Sequence, residues 1–197
     1  MAVASPWVDI TQSLPSWETN WRFDYLPRPS EDKKTPIPPD SIWPATPPRK
    51  NLYVDDAFLA HPLAALVVNR SWSGAPPVFL SSGWELLADE IKFLARKLDG
   101  DGVPVVFEEY EGMPHTFALV LPSLPGARKS YDSWAGFINA VTKQPAVAIE
   151  SKAVRVLAKT LEEVPLELSE LSPMSLDEVR ESVGKRVAST AVPPARL

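Results

Sequence analysis

The chain has 197 residues, 45% of them hydrophobic, and a formal net charge of −5, enough apolar material for one ordinary domain with a sizeable core. An acidic balance without a basic stripe argues against nucleic acid as a partner. With no cysteine there is neither a disulfide framework nor a thiolate site, and two histidines, His61 and His115, make a structural zinc site very unlikely. No apolar run reaches the ~20 residues that cross a membrane, and the N-terminus has no basic region followed by a long apolar stretch. A reducing, cytoplasmic setting is the expectation.

Met1 to Val8 reads as a strand buried from its first residue. Domains rarely open that way, because termini usually sit loosely at the surface. The start therefore reads as a cut through a fold, with an inner edge whose backbone groups lack a neighbour. From Gln12 to Lys50 no period is sustained, and eight of the 22 prolines fall between Pro27 and Pro48. Trp17, Trp21, Phe23, Tyr25, Ile42 and Trp43 are large apolar groups that need burial, so the segment reads as a packed loop or a cap over a site. Asp55 to Arg70 suggests a short helix and a turn.

Pro77 to Phe117 is the most ordered stretch. Val78-Phe79-Leu80 is a buried strand behind Pro76-Pro77, stopped by Ser81-Ser82-Gly83, and Glu85 follows at once. Apolar residues at Leu87, Ile91, Leu94 and Leu98 make a helical stripe, which Asp99-Gly100-Asp101-Gly102 ends. Val103 to Tyr110 is a second strand, broken by Glu111-Gly112-Met113-Pro114, and His115 comes next. Strands joined by a helix are parallel neighbours in nearly every case. Glu85 and His115 would then both lie beyond the carboxyl ends of adjacent strands, where open α/β sheets hold their sites.

Ala127 to Thr142 is a further helix, with Trp134, Phe137, Ile138 and Val141 on one face, expected to pack on the sheet beside the preceding helix. Val154, Val156 and Ala158 alternate with Arg155, Leu157 and Lys159 as in a half-buried strand. Ser175 with Glu178 is a capping-box pattern that opens a helix along Leu176, Val179, Val183 and Val187, and the end from Val192 should fray.

An acid after one strand and a His after the next is the second half of a Ser…Asp/Glu…His order. The residues at these places, Gly83-Trp84-Glu85-Leu86-Leu87-Ala88-Asp89-Glu90 and Tyr110-Glu111-Gly112-Met113-Pro114-His115-Thr116-Phe117, resemble the acid and His motifs of the hormone-sensitive-lipase-like esterases, the α/β-hydrolase fold-3 group, and are closest to its fungal members. Ser5-Pro6-Trp7-Val8-Asp9-Ile10-Thr11 and Asp24-Tyr25-Leu26-Pro27 also resemble that group's segment after strand six. The likeness covers roughly residues 3 to 142. It implies the C-terminal portion of an α/β hydrolase: the last three parallel strands with flanking helices over residues 1–145, with 12–50 as a cap-like segment. Residues 146–197 would then be a short α+β extension.

The resemblance also implies a small-molecule carboxylic ester as substrate, cleaved by nucleophilic acyl transfer. His115 would be the general base and then the general acid, and Glu85 would orient it and stabilise its charged form. Asp89 and Glu90 rival Glu85 as the acid, although they fall one turn into the helix, where a carboxylate is favourable without any catalytic part. His61 precedes a proline, has no acid beside it in sequence, and reads as an ordinary loop histidine. Ser71, Ser73, Ser81 and Ser82 lie near glycines, but none has the flanking pair that a Gly-x-Ser-x-Gly elbow needs, so no nucleophile is assigned. No phosphate loop, dinucleotide fingerprint or metal cluster suggests a cofactor. Two alternatives stand beside the esterase reading: a non-catalytic binding module, and an inactive fragment.

Overall fold

The computed structural model describes residues 1–31, 40–42, 51–143 and 148–190. Five strands, β1 (Ala2–Ala4), β2 (Val78–Ser82), β3 (Val105–Tyr110), β4 (Lys152–Val156) and β5 (Glu163–Leu166), form one sheet in that order. The first four run parallel and β5 pairs with β4 antiparallel. The helices are α1 (Ser16–Thr19), α2 (Ala88–Gly100), α3 (Phe117–Val120), α4 (Pro125–Lys143) and α5 (Leu176–Thr190).

The three expected parallel strands stand side by side, and the C-terminal extension continues their sheet by two more. β2 and β3 are flanked by strands on both sides, so almost every residue in them is buried, which suits the apolar runs Val78-Phe79-Leu80 and Val105-Val106-Phe107. β2 also runs on through Ser81 and Ser82, past the expected stop, because both serines pair with β3. β1 is shorter than the expected Met1 to Val8. It is an edge strand, only partly buried, and the chain turns away at Ser5, whose φ is +47°.

Pleat alternation divides the core in two. Val78 and Leu80 of β2 and Val105 and Phe107 of β3 pack with Ile91, Phe93 and Leu94 of α2. Each such side chain removed from water contributes roughly 1.5–3 kcal/mol. Tyr110 faces the other way, toward Phe117 of α3 and Ala127 of α4, and Phe79 meets Phe137 of α4 with ring centroids 5.8 Å apart. α4 therefore covers the face opposite α2, not the place beside it that its stripe suggested. An amphipathic stripe specifies that a helix packs, not on which side of a sheet. With both connections stepping the same way across the sheet, β2–α2–β3 and β3–α4–β4 have opposite hands, an uncommon arrangement. Ile138, on the expected buried face of α4, is 43% exposed.

Between Asp55 and Arg70 two 3₁₀ turns, Asp56–Phe58 and Leu66–Val68, replace the expected short helix. Among the described residues no long helix lies between β1 and β2, and α5 lies over the part from Asp55 to Arg70 instead. Val179 and Val183 of α5 are buried in the α2-side core, and Arg180 donates to the Val68 carbonyl. The capping box is formed: Glu178 accepts from the Ser175 backbone N–H at 2.7 Å, and the Glu178 N–H donates back to Ser175 Oγ at 3.3 Å.

Of the aromatics in the Pro-rich segment, Trp17 is buried, Phe23 is half-buried, and Trp21 and Tyr25 are exposed. Ile42 is also exposed, and Trp43 lies outside the described residues, as does most of the stretch from 32 to 50. The expectation that all these groups would be buried is corrected for Trp21, Tyr25 and Ile42. The frayed end expected from Val192 lies outside the described residues too.

Candidate active site

Glu85 stands in the turn between β2 and α2, and His115 stands between β3 and α3. Parallel pairing puts both turns at the same end of the sheet. What lets the turns touch is Gly83. A β-carbon there would lie 1.9 Å from the Met113 carbonyl oxygen, so only glycine fits.

The Glu85 carboxylate is fully buried and meets His115 Nδ1 through Oε2 at 2.6 Å. Its Oε1 accepts from Ser5 Oγ at 2.7 Å and from the Gly83 N–H at 3.0 Å, and Ser82 Oγ lies 3.2 Å away. The partners of the carboxylate are thus donors, so the bonding assigns the Nδ1 proton to the contact with Oε2. Nε2 is then the free base of the neutral ring. The ring keeps a 20% exposed side chain, enough to meet a reacting atom while its other nitrogen is held from behind.

Asp24 ties the two turns to the preceding segment. Its Oδ2 accepts from the Leu86 N–H at 2.8 Å, and its Oδ1 faces the His115 N–H at 3.4 Å. Asn20 donates to the Glu85 carbonyl at 3.1 Å. Thr116, next to His115, has φ +48° and is held on both sides, its N–H by Ser5 Oγ and its hydroxyl by Tyr25. Asp24 and Ser5 both lie in motifs noted for their family likeness. Nothing local in the sequence marks them as partners of residues 62 to 111 positions away.

The rival acids are accounted for elsewhere. Asp89 accepts the Ser16 N–H at 2.9 Å and its own N–H donates to Ser16 Oγ, an exchange between first turns that does not reach His115. Glu90 is buried on the far side, where it accepts from Val8 N–H, Asp9 N–H and Trp17 Nε1. Burial, reinforced by the nearby Asp9 carboxylate, pushes the Glu90 carboxyl well above the usual range, while those three donors pull it down. His61 is exposed and its Nδ1 accepts the Leu63 N–H, in a separate cavity of about 590 Å³ shared with Trp7, Tyr53 and Phe58.

A cavity of about 250 Å³ opens beside His115, walled by Trp7, Trp17, Leu26, Pro27 and Leu87, with Gln12 as its polar member. On the other side of Glu85, Trp84 packs edge-on to Phe23 with centroids 5.1 Å apart, and the Arg155 guanidinium of β4 lies 6.0 Å from the Trp84 ring. Arg155 also pairs with the fully buried Glu109, as does Lys92 of α2. The C-terminal extension thereby touches the turn that carries Glu85. Among the described residues no group of three or more His, Asp or Glu side chains is gathered as a metal would need, and no helix is long and apolar enough to cross a membrane.

A family model described as alpha/beta hydrolase fold matches residues 25–119, which span both turns of the site. A doubly substituted esterase of known structure superposes with a TM-score of 0.51 at 22% identity, over 69% of this chain and 42% of its own. The fold matches a partial alpha/beta-hydrolase fold. An esterase from the bacterial hormone-sensitive lipase family (20% identity, TM-score 0.49) covers 69% of this chain and 42% of its own. An esterase/lipase from an uncultured bacterium (20% identity, TM-score 0.44) covers 68% and 43%. The chain thus spans less than half the length of each of these hydrolase-fold structures. No curated protein matches it.

Proposed function

We propose that the chain belongs to a carboxylic-ester hydrolase of the Ser-His-acid kind, in which it supplies the acid and the histidine. The observation that carries this reading is the 2.6 Å contact between buried Glu85 Oε2 and His115 Nδ1, with Nε2 left as the base on a ring that reaches the surface. In such a reaction Nε2 takes the proton of a serine hydroxyl as it attacks the ester carbonyl, then returns it to the leaving alkoxide. Water repeats the cycle on the acyl-enzyme, and Glu85 stabilises the imidazolium each time.

Neither the nucleophile nor the oxyanion donors are assigned within this chain. Ser5 and Ser82, the serines nearest the pair, are engaged with Glu85 and the Gly83 carbonyl, not with Nε2. Our reading places both groups in residues upstream, and makes the likeness to fungal fold-3 esterases one of descent. The apolar cavity of about 250 Å³ beside His115 fits a modest acyl group. The described part of the cap-like segment 12–50 lends Gln12, Trp17, Leu26 and Pro27 to that cavity, which supports its part as a cap; residues 32–39 and 43–50 lie outside the described residues.

The test compares this chain with the gene product extended upstream, on a short-chain chromogenic ester. The chain alone should show no turnover above background, because loss of even one oxyanion-hole donor costs about 10²–10³ in kcat. The extended protein should turn the ester over and lose that activity on His115→Ala. An extended protein indifferent to His115→Ala would contradict the proposal, and an in-frame stop directly upstream would favour a non-catalytic binding module.

A further inference from the structure

We propose that Ser5 is a positioning residue for the acid–histidine pair: one hydroxyl sets the carboxylate of Glu85 and the backbone that carries His115 at once. The inference rests on reading Glu85 and His115 as an acid–base pair.

A hydroxyl has one proton and two lone pairs. The Ser5 proton is committed to Glu85 Oε1 at 2.7 Å, and a Ser5 lone pair accepts the Thr116 N–H at 3.0 Å. Ser82 is no substitute. Its single proton is better placed on the Gly83 carbonyl, at 2.9 Å, than on Glu85, at 3.2 Å. Ser5 is thus the side-chain donor that, with the Gly83 N–H at 3.0 Å, fixes the rotation of the carboxylate, and rotation decides whether Oε2 lies in line with Nδ1.

The same bond fixes the other partner. Thr116 follows His115 directly and holds φ +48°, a left-handed conformation that a β-branched residue resists. Ser5 itself holds φ +47°, just where β1 ends. Two residues in an unfavourable conformation, 111 positions apart, are joined by one hydrogen bond across the mouth of the site. Strain of this kind persists only where surrounding contacts over-determine it. Both residues are needed in that shape to bring Ser5 Oγ between Glu85 and Thr116. Ser5 is buried, so water does not replace the hydroxyl readily.

Ser5→Gly tests this, because glycine removes the hydroxyl and accepts positive φ without cost, so the fold is kept. Ser5→Ala is the second variant. The reading is made on the chain itself, by proton NMR of the hydrogen-bonded His115 Nδ1–H, which should resonate far downfield and exchange slowly with water. In both variants that proton should exchange about tenfold faster or broaden away, as loss of a hydrogen bond to a charged group implies. Ser5→Gly should still melt cooperatively, a few degrees below the unsubstituted chain because two buried hydrogen bonds are lost, so that a proton lost from a chain that still folds reports positioning. In the extended protein, Ser5→Gly should lower kcat with KM unchanged. A downfield proton unaltered in Ser5→Gly, or absent from the unsubstituted chain, would overturn the assignment. If the extended protein shows no ester turnover, the esterase reading fails while the NMR result still decides the role of Ser5.

Discussion

Gly83 and Met113 approach so closely that the glycine has no room for a side chain: a β-carbon would stand 1.9 Å from the Met113 carbonyl oxygen. The turn after β2 and the turn after β3 therefore touch backbone to backbone. That contact is what puts an acid from one turn against a histidine from the next.

Gly83→Ala should consequently act on both stability and the site. Neither partner is a flexible side-chain tip, so the turns must separate, at an expected cost of more than about 2 kcal/mol. Chemical denaturation gives the stability, and the His115 Nδ1–H resonance should vanish in the fraction that still folds.

The buried carboxyl of Glu90 sets a pH dependence. Its folded pKa is raised, chiefly by burial and next by Asp9, so the folded state holds a proton more tightly than the unfolded chain does. The stability it contributes is fully present below the ordinary glutamate range and is lost as pH rises toward the raised folded value. Glu108, also raised by burial and opposed by its bond from Tyr110, adds in the same direction. Denaturation midpoints measured upward from about pH 4.5 should fall with pH. Glu90→Gln should flatten that slope whatever it does to the absolute stability.

Much of this was legible in the residues. Short apolar runs between turn signals marked β2 and β3, a 3.6-residue stripe marked α2, and Ser175 with Glu178 marked the start of α5. That Glu85 and His115 would lie at one end of the sheet was legible, because both follow adjacent parallel strands. Ser5 and Asp24 were not singled out as site partners, because their bonds to Glu85, Leu86 and Thr116 span the chain and leave no local period. The side of the sheet that α4 covers was illegible for a related reason: its stripe records only that one face is apolar. The burial expected of Trp21 and Tyr25 failed because size alone does not say whether a neighbouring wall exists.

The ion cluster of Lys92, Glu109 and Arg155 joins α2, β3 and β4 behind Trp84. Glu109 is fully buried while both cations reach solvent, so the penalty falls on whichever change strands the carboxylate. Lys92→Met with Arg155→Met should cost about 3–5 kcal/mol, the range for an uncompensated buried charge. Glu109→Gln should cost less, because the cations it releases can be hydrated. The reverse order in denaturant titrations would show that Glu109 is not held as a carboxylate.

The central claim is that Glu85 acts only through His115, and a double-mutant cycle in the upstream-extended protein tests it most directly. His115→Ala should lower kcat by about 10⁴–10⁶ and Glu85→Ala by about 10²–10⁴, with the double variant little worse than His115→Ala alone, because the acid has nothing to orient once the ring is gone. Asp89→Ala is the control: it loses a bond to the Ser16 N–H and a favourable first-turn charge, about 1–2 kcal/mol of stability, and should leave kcat near normal. Multiplicative losses in the Glu85 and His115 cycle, or an Asp89→Ala defect as deep as that of His115→Ala with Glu85→Ala still active, would contradict the account.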